Sequence, residues 1–312
     1  MEADHLGIFS KDYESSGAGI SKDAAKKKGL ALFFDLLGRK FWSLMWLNVL
    51  YVLFFIPLML ILPAISLINN YNVLVALIIA LVLIFSVIIG PATAGMMKVL
   101  RYFYIEKHSF IAREFFSGVK ENFGKAAAVG FLDCLVILSA YASLLVYPTF
   151  AANYSKLFYV PMVITFSLFL VVLIMNFYIF LMMTATTLSL KNLLKNSFTL
   201  AIVAMKENLI TAAVIIVVLF IMALLLLNVF QVFALLIAIF PAAFLGFVIC
   251  FNCYPVIQKY VIDPYYTAQG KVNPEYLGSA GEDDDVEQIF EDMGGKEAPV
   301  ERRKKTKGKV IK

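Results

Sequence analysis

Residues 90–123 read GPATAGMMKVLRYFYIEKHSFIAREFFSGVKENF. This stretch decides the fold because it starts inside one apolar run and ends at the entrance to another. Between them lies an amphipathic segment in which Lys98, Arg101, Lys107, Arg113 and Lys120 are interleaved with aromatic residues. Two apolar helices joined through a basic segment make a membrane hairpin joint, with the basic side facing the cytoplasm. Both flanking runs are continuously apolar rather than alternating, which selects helices over barrel strands.

Working outward, the same character extends over most of the 312 residues. Hydrophobic side chains make up 61% and charged ones only 16%, where a soluble domain carries nearer a quarter charged residues. Six runs are long enough for a ~30 Å hydrocarbon core, which needs about 20 helical residues. They are expected at 43–68, 73–96, 126–149, 159–184, 209–229 and 232–254. The short connection around Asn228 and Gln231 also leaves a broken or re-entrant last hairpin open. An interfacial helix is expected over 24–41, where Leu30, Phe33, Phe34, Leu37 and Phe41 share one face and Lys and Arg take the other. The membrane domain thus spans 24–266, preceded by a flexible cytoplasmic leader (1–23) and followed by a disordered cytoplasmic tail (267–312), acidic and then basic. No cleavable signal peptide is evident in the polar leader.

Charge orients the chain. Lys22, Lys26, Lys27, Lys28, Arg39 and Lys40 precede span one, and Lys98, Arg101, Lys107, Arg113, Lys120 and Lys125 separate spans two and three. Lys191, Lys195 and Lys206 separate spans four and five, whereas the loops on the opposite side offer Lys156 alone. The positive-inside rule then places both termini in the cytoplasm of a multi-pass plasma-membrane protein. Lys120-Glu121-Asn122-Phe123 with Ala126-Ala127 recurs as Lys206-Glu207-Asn208-Leu209 with Ala212-Ala213. This suggests three parallel hairpins, each entered from a cytoplasmic amphipathic helix. In the tail, Val286, Ile289, Phe290 and Met293 are spaced for a brief helix, and the cluster Arg302 to Lys309 suits anionic lipid rather than nucleic acid.

Candidate chemistry is sparse. Asp133 is the one carboxylate well inside a span; such acids cost about 2.5–3.5 kcal/mol to insert and mark functional sites by default, although pairing between helices is the competing reading. Asn48, Asn176 and Asn252 join it as a candidate polar membrane cluster in the inner half of the bilayer, with inter-helix hydrogen bonding as the alternative. Gly90-Pro91, with Thr93 and Gly95, predicts a kink or break with tight packing at the end of span two. Cys250 and Cys253 have metal spacing but lie in an apolar run without a second pair, and His5 and His108 are the only histidines. No metal, cofactor or enzymatic activity is expected, since P-loop, HExxH and GxSxG patterns are all missing.

Gly90-Pro91-Ala92-Thr93-Ala94-Gly95, then Arg101, then Phe115-Phe116 and Lys120-Glu121-Asn122-Phe123, resemble the YesL family. These are uncharacterised bacterial integral membrane proteins grouped as domain of unknown function 624. Trp46-Leu47-Asn48 through Pro57 also resembles the family's first span, and the likeness runs roughly from Leu30 to Asp263. Family members are typically encoded near sugar ABC importers and glycan-degrading enzymes, so the resemblance implies an accessory or regulatory partner of carbohydrate uptake, with importer subunits and the bilayer as its partners. The alternative is a small-solute transporter or channel in its own right. A sugar permease of the ABC class is disfavoured, because 191–208 lacks the Glu-Ala-Ala…Gly coupling pattern.

Overall fold

A computed structural model describes residues 28–275. The leader, the 286–293 segment and the terminal basic cluster lie outside the described residues. The protein is all-α, with no strand among the described residues, and six of its helical segments are long and apolar enough to cross a membrane. It is a polytopic membrane protein built as three successive hairpins.

The first hairpin opens with α1 (Gly29–Val52), which carries the expected interfacial segment straight into span one without a break. Span one is instead interrupted further on. A 3₁₀ turn (Leu53–Phe55) leads into the short helices α2 (Ile56–Met59) and α3 (Ile61–Leu67). Pro57 and Pro63 sit in these pieces, where a missing N–H and a fixed φ disrupt a regular helix. Asn70 then caps α4 (Tyr71–Tyr104), its Oδ1 accepting from the N–H groups of Asn72 and Val73. At Gly90-Pro91, where a kink or break with tight packing was expected, the packing is tight but the helix is unbroken, α4 running as one 34-residue helix through Pro91.

The second hairpin is α5 (Ile111–Asn153) and α6 (Tyr159–Ala185). At 43 residues, α5 is about 65 Å long, roughly twice the hydrocarbon thickness. Its first turns are the amphipathic part of the stretch 90–123. The third hairpin comprises α7 (Leu190–Val203), α8 (Met205–Asn228), α9 (Phe230–Ile239) and α10 (Pro241–Ile257). Only here is the amphipathic helix a separate element, divided from the span at Ala204 (φ −97°, ψ 43°). The returning span is discontinuous, broken at Phe240 (φ −136°) just before Pro241. A π-turn (Gln258–Ile262) follows α10 and leads into α11 (Asp263–Ala268). The chain then folds back as far as Glu275: residues 267–272 are exposed, but Asn273 is buried and the Glu275 carboxylate accepts from Tyr254, so the expected disordered tail does not begin at 267.

Charged side chains gather at one end. Arg39 pairs with Asp35 and with Glu106 at 2.9 Å, and Lys125 Nζ donates to the Leu188 carbonyl at 2.8 Å. The core lies in the same half, with Gly90–Leu100 of α4 (Thr93 excepted), Phe177–Met183 of α6 and much of α10 buried. Farther away, α8 buries only Asn208 and Thr211, and α9 buries none of its residues. Those helices turn apolar surface outward, as a lipid environment permits.

Candidate functional site: an intramembrane cavity and the groups around it

α4 and α5 make the most extensive helix contact in the protein, and four glycines permit it. A Cβ added at Gly90 would lie 1.9 Å from the Ala126 carbonyl oxygen, and one at Gly130 would lie 2.7 Å from the Gly90 nitrogen. Nearer the charged end, a Cβ on Gly95 would meet the Phe115 carbonyl at 2.6 Å, and one on Gly118 would meet Gly95 Cα at 2.9 Å. Small residues of this kind let membrane helices approach backbone to backbone. Pro91 is buried in the same seam, and Thr93 bonds across to the Tyr51 hydroxyl at 3.1 Å while donating to the Ile89 carbonyl.

The seam continues into an ion cluster around a buried lysine, whose main partner Glu121 is exposed. Lys98, only 6% exposed, donates to Ser117 Oγ at 2.8 Å and to both oxygens of Glu121 at 3.1 and 2.9 Å, with Glu114 at 3.5 Å. A buried ammonium is tolerated only when its donors are satisfied in this way. Lys120 is exposed, and Asn122 donates to the Gly118 carbonyl on its own helix. Within the Lys-Glu-Asn motif it is Glu121 that ties α5 to α4, through Lys98.

Beside this seam, α4, α5, α6 and α10 line an open-sided cavity of about 420 Å³. Asp133 from α5 and Asn176 from α6 line it, and Asn176 Nδ2 donates to Asp133 Oδ1 at 2.8 Å. Thr93 is the third polar residue in the lining, and the rest is apolar, including Met97, Phe169, Phe177 and Ile249. The amide oxygen of the same asparagine, Asn176 Oδ1, is buried without a partner. An occupant would be largely apolar and would carry one hydrogen-bond donor for that oxygen.

Of the four polar residues singled out in the sequence, the fold brings together Asp133 and Asn176. Asn48 is fully buried elsewhere, at the α9–α10 break. Its Nδ2 donates to the carbonyls of Ile237 (3.2 Å) and Ala238 (2.9 Å), and its Oδ1 accepts from the Ala243 N–H at 3.0 Å. One amide thus satisfies backbone groups on both sides of a broken helix. Asn252 donates to Thr211 Oγ1 at 3.1 Å, joining α10 to α8. Cys250 and Cys253 are buried, free thiols on α10.

Sequence reasoning did not single out Tyr178, whose hydroxyl donates to Asn208 Oδ1 at 2.6 Å. Asn208 Nδ2 in turn donates to the Leu200 and Ala201 carbonyls, closing the turn between α7 and α8. The signal was present for Asn208, which is the repeat counterpart of Asn122. For Tyr254, Gln258 and Glu275, which meet at the charged end, no local pattern existed, because they come together only in three dimensions.

Residues 44–144, from α1 into α5, match the model of a family described as "Protein of unknown function, DUF624". The match contains the glycine seam, Lys98, Arg101 and Asp133, and it supports the DUF624 family for this part of the chain. No curated protein and no solved structure matches the chain.

Proposed function

We propose that this is a non-enzymatic protein of the bacterial plasma membrane that serves as an accessory or regulatory partner of an ABC-type carbohydrate importer. The reading takes both termini as cytoplasmic, in line with the basic charge bias, and takes the carbohydrate connection from the resemblance to the YesL family. The observation that carries its non-conducting part is how the intramembrane polar groups are used. Asn48, Asn208 and Asn252 are committed to bonds between helices or across helix breaks. A sugar passing through would need partners for several hydroxyls at once, and unpaired ones are costly to bury. The cavity beside α4 offers three polar residues in an otherwise apolar lining. Purification from native-level expression in mild detergent is expected to recover importer subunits with the protein. Recovery of the protein alone counts against the partnership.

A second reading follows from the cavity itself. Its volume suits a small molecule, and the unpartnered Asn176 Oδ1 suits a donor-bearing, mostly apolar solute. In that reading the protein is a small-solute transporter, and Asp133→Ala abolishes solute flux in reconstituted vesicles. Unchanged flux removes Asp133 from any transport mechanism.

A further inference from the structure

Away from the cavity, three donors converge at the charged end of the bundle. Arg101 lies in the last turn of α4 and is only 9% exposed. Tyr254 is fully buried near the end of α10, and Gln258 is buried at the start of the π-turn. All three address one carboxylate, that of Glu275. The Tyr254 hydroxyl lies 2.7 Å from both of its oxygens, Gln258 Nε2 donates to Oε2 at 3.0 Å, and Arg101 Nη1 donates to Oε1 at 3.3 Å.

The donors and the acceptor come from different kinds of structure. Arg101, Tyr254 and Gln258 belong to packed helical elements, with Tyr104 set edge-on against the Tyr254 ring. Glu275 arrives on a short strap that follows α11. Asn273 shapes that strap by accepting from the Glu275 N–H at 3.0 Å and donating to Asp263 at 3.0 Å.

The fit is also incomplete. Arg101 meets the carboxylate through one nitrogen at long range, not through the bidentate fork that guanidinium groups form with well-matched anions. Its Nε is buried and has no partner. The carboxylate accepts from all three residues and still leaves that Nε unmet, whereas a phosphoryl group presents three peripheral oxygens and more charge.

We propose that Arg101, Tyr254 and Gln258 form a phosphate-binding site at the charged end of the bundle, with Glu275 as its built-in competitor. The phosphoryl group belongs either to a free or small-molecule phosphate or to an anionic lipid headgroup, since the site lies where the helices leave their apolar stretch. Binding displaces Glu275 and frees the strap from Lys271 to Glu275. The site is independent of the importer reading and is tested on the isolated protein.

The test uses the full chain in neutral detergent, with inorganic phosphate titrated and followed by thermal shift and by trypsin cleavage after Lys271. Glu275→Gln is expected to bind phosphate at least tenfold more tightly than the wild type. In the wild type, phosphate is expected to increase cleavage after Lys271. Adding Arg101→Gln to Glu275→Gln removes the gain. Tyr254→Phe, which keeps the ring packing and loses only the hydroxyl, weakens binding severalfold in the same background and decides the matter if Arg101→Gln does not fold. In a second arm, nanodiscs of phosphatidylcholine are compared with nanodiscs containing phosphatidylglycerol. A response to inorganic phosphate in phosphatidylcholine assigns a soluble ligand. A rise in cleavage driven by phosphatidylglycerol alone assigns the headgroup. Binding and cleavage that ignore phosphate, lipid charge and Glu275→Gln alike overturn the proposal.

Discussion

Gly90 and Gly124 lie on helices that touch, yet they answer to different constraints. A side chain at Gly90 has no room beside the Ala126 carbonyl, whereas one at Gly124 meets nothing within 4 Å. Gly90→Ala is therefore expected to force α4 and α5 apart at a cost of about 1–3 kcal/mol, as overpacking does. Gly124→Ala should be neutral or stabilising by up to ~1 kcal/mol through helix propensity. Thermal unfolding in detergent separates the two, and equal midpoints would mean that the seam is not close-packed. The Asp133–Asn176 pair can be probed at the same scale. Asp133→Asn keeps an acceptor for the Asn176 amide and should retain stability, while Asp133→Ala leaves that amide without its partner. The cost of the latter should be about 1–2 kcal/mol, in the range of membrane hydrogen bonds. Sequence alone identified Gly90, Gly95 and Asp133 as unusual. It did not reveal which carbonyl or amide each would face, because those neighbours lie on other helices.

Among the elements, the returning span of the third hairpin depends most on a remote residue. α9 and α10 are separate helices, and the backbone groups around their break are met by Asn48 from α1, 189 to 195 positions away in sequence. Asn48→Leu removes those partners, and each buried, unmet backbone group costs about 1–3 kcal/mol. Its expected destabilisation exceeds that of Asn252→Ala, which loses one side-chain bond. A smaller effect for Asn48→Leu in the same unfolding assay would show that the break is held by other contacts. The continuity of α4 through Pro91 and of α1 through the expected interfacial segment also belongs to this scale. Proline and charge patterning report local preference, and close packing of α4 against α5 outweighs it.

Across the whole molecule, the turns alternate between a charged end and an apolar end. Residues 107–110 and 186–189 connect helices at the charged end, and residues 68–70 and 154–155 connect them at the other. In a background lacking Cys134, Cys250 and Cys253, single cysteines at positions 108 and 188 should be labelled from the same side of the membrane, and one at 155 from the opposite side. Labelling of 108 and 155 from one side would dismantle the three-hairpin arrangement.

The amino-acid sequence by itself determined the all-helical membrane class, the six crossings and the charge asymmetry, because apolar run length and basic residues are counted along the chain. It also exposed the hairpin joint at 90–123, since a basic segment between two apolar runs is read along the chain. Tertiary structure alone decided where span one and the last span break, which polar groups share a cavity, and that Glu275 returns to Arg101, Tyr254 and Gln258. Those outcomes depend on contacts between residues as many as 195 positions apart. In a bilayer, where every backbone polar group must find a partner inside the protein, the partner is chosen by how the helices pack.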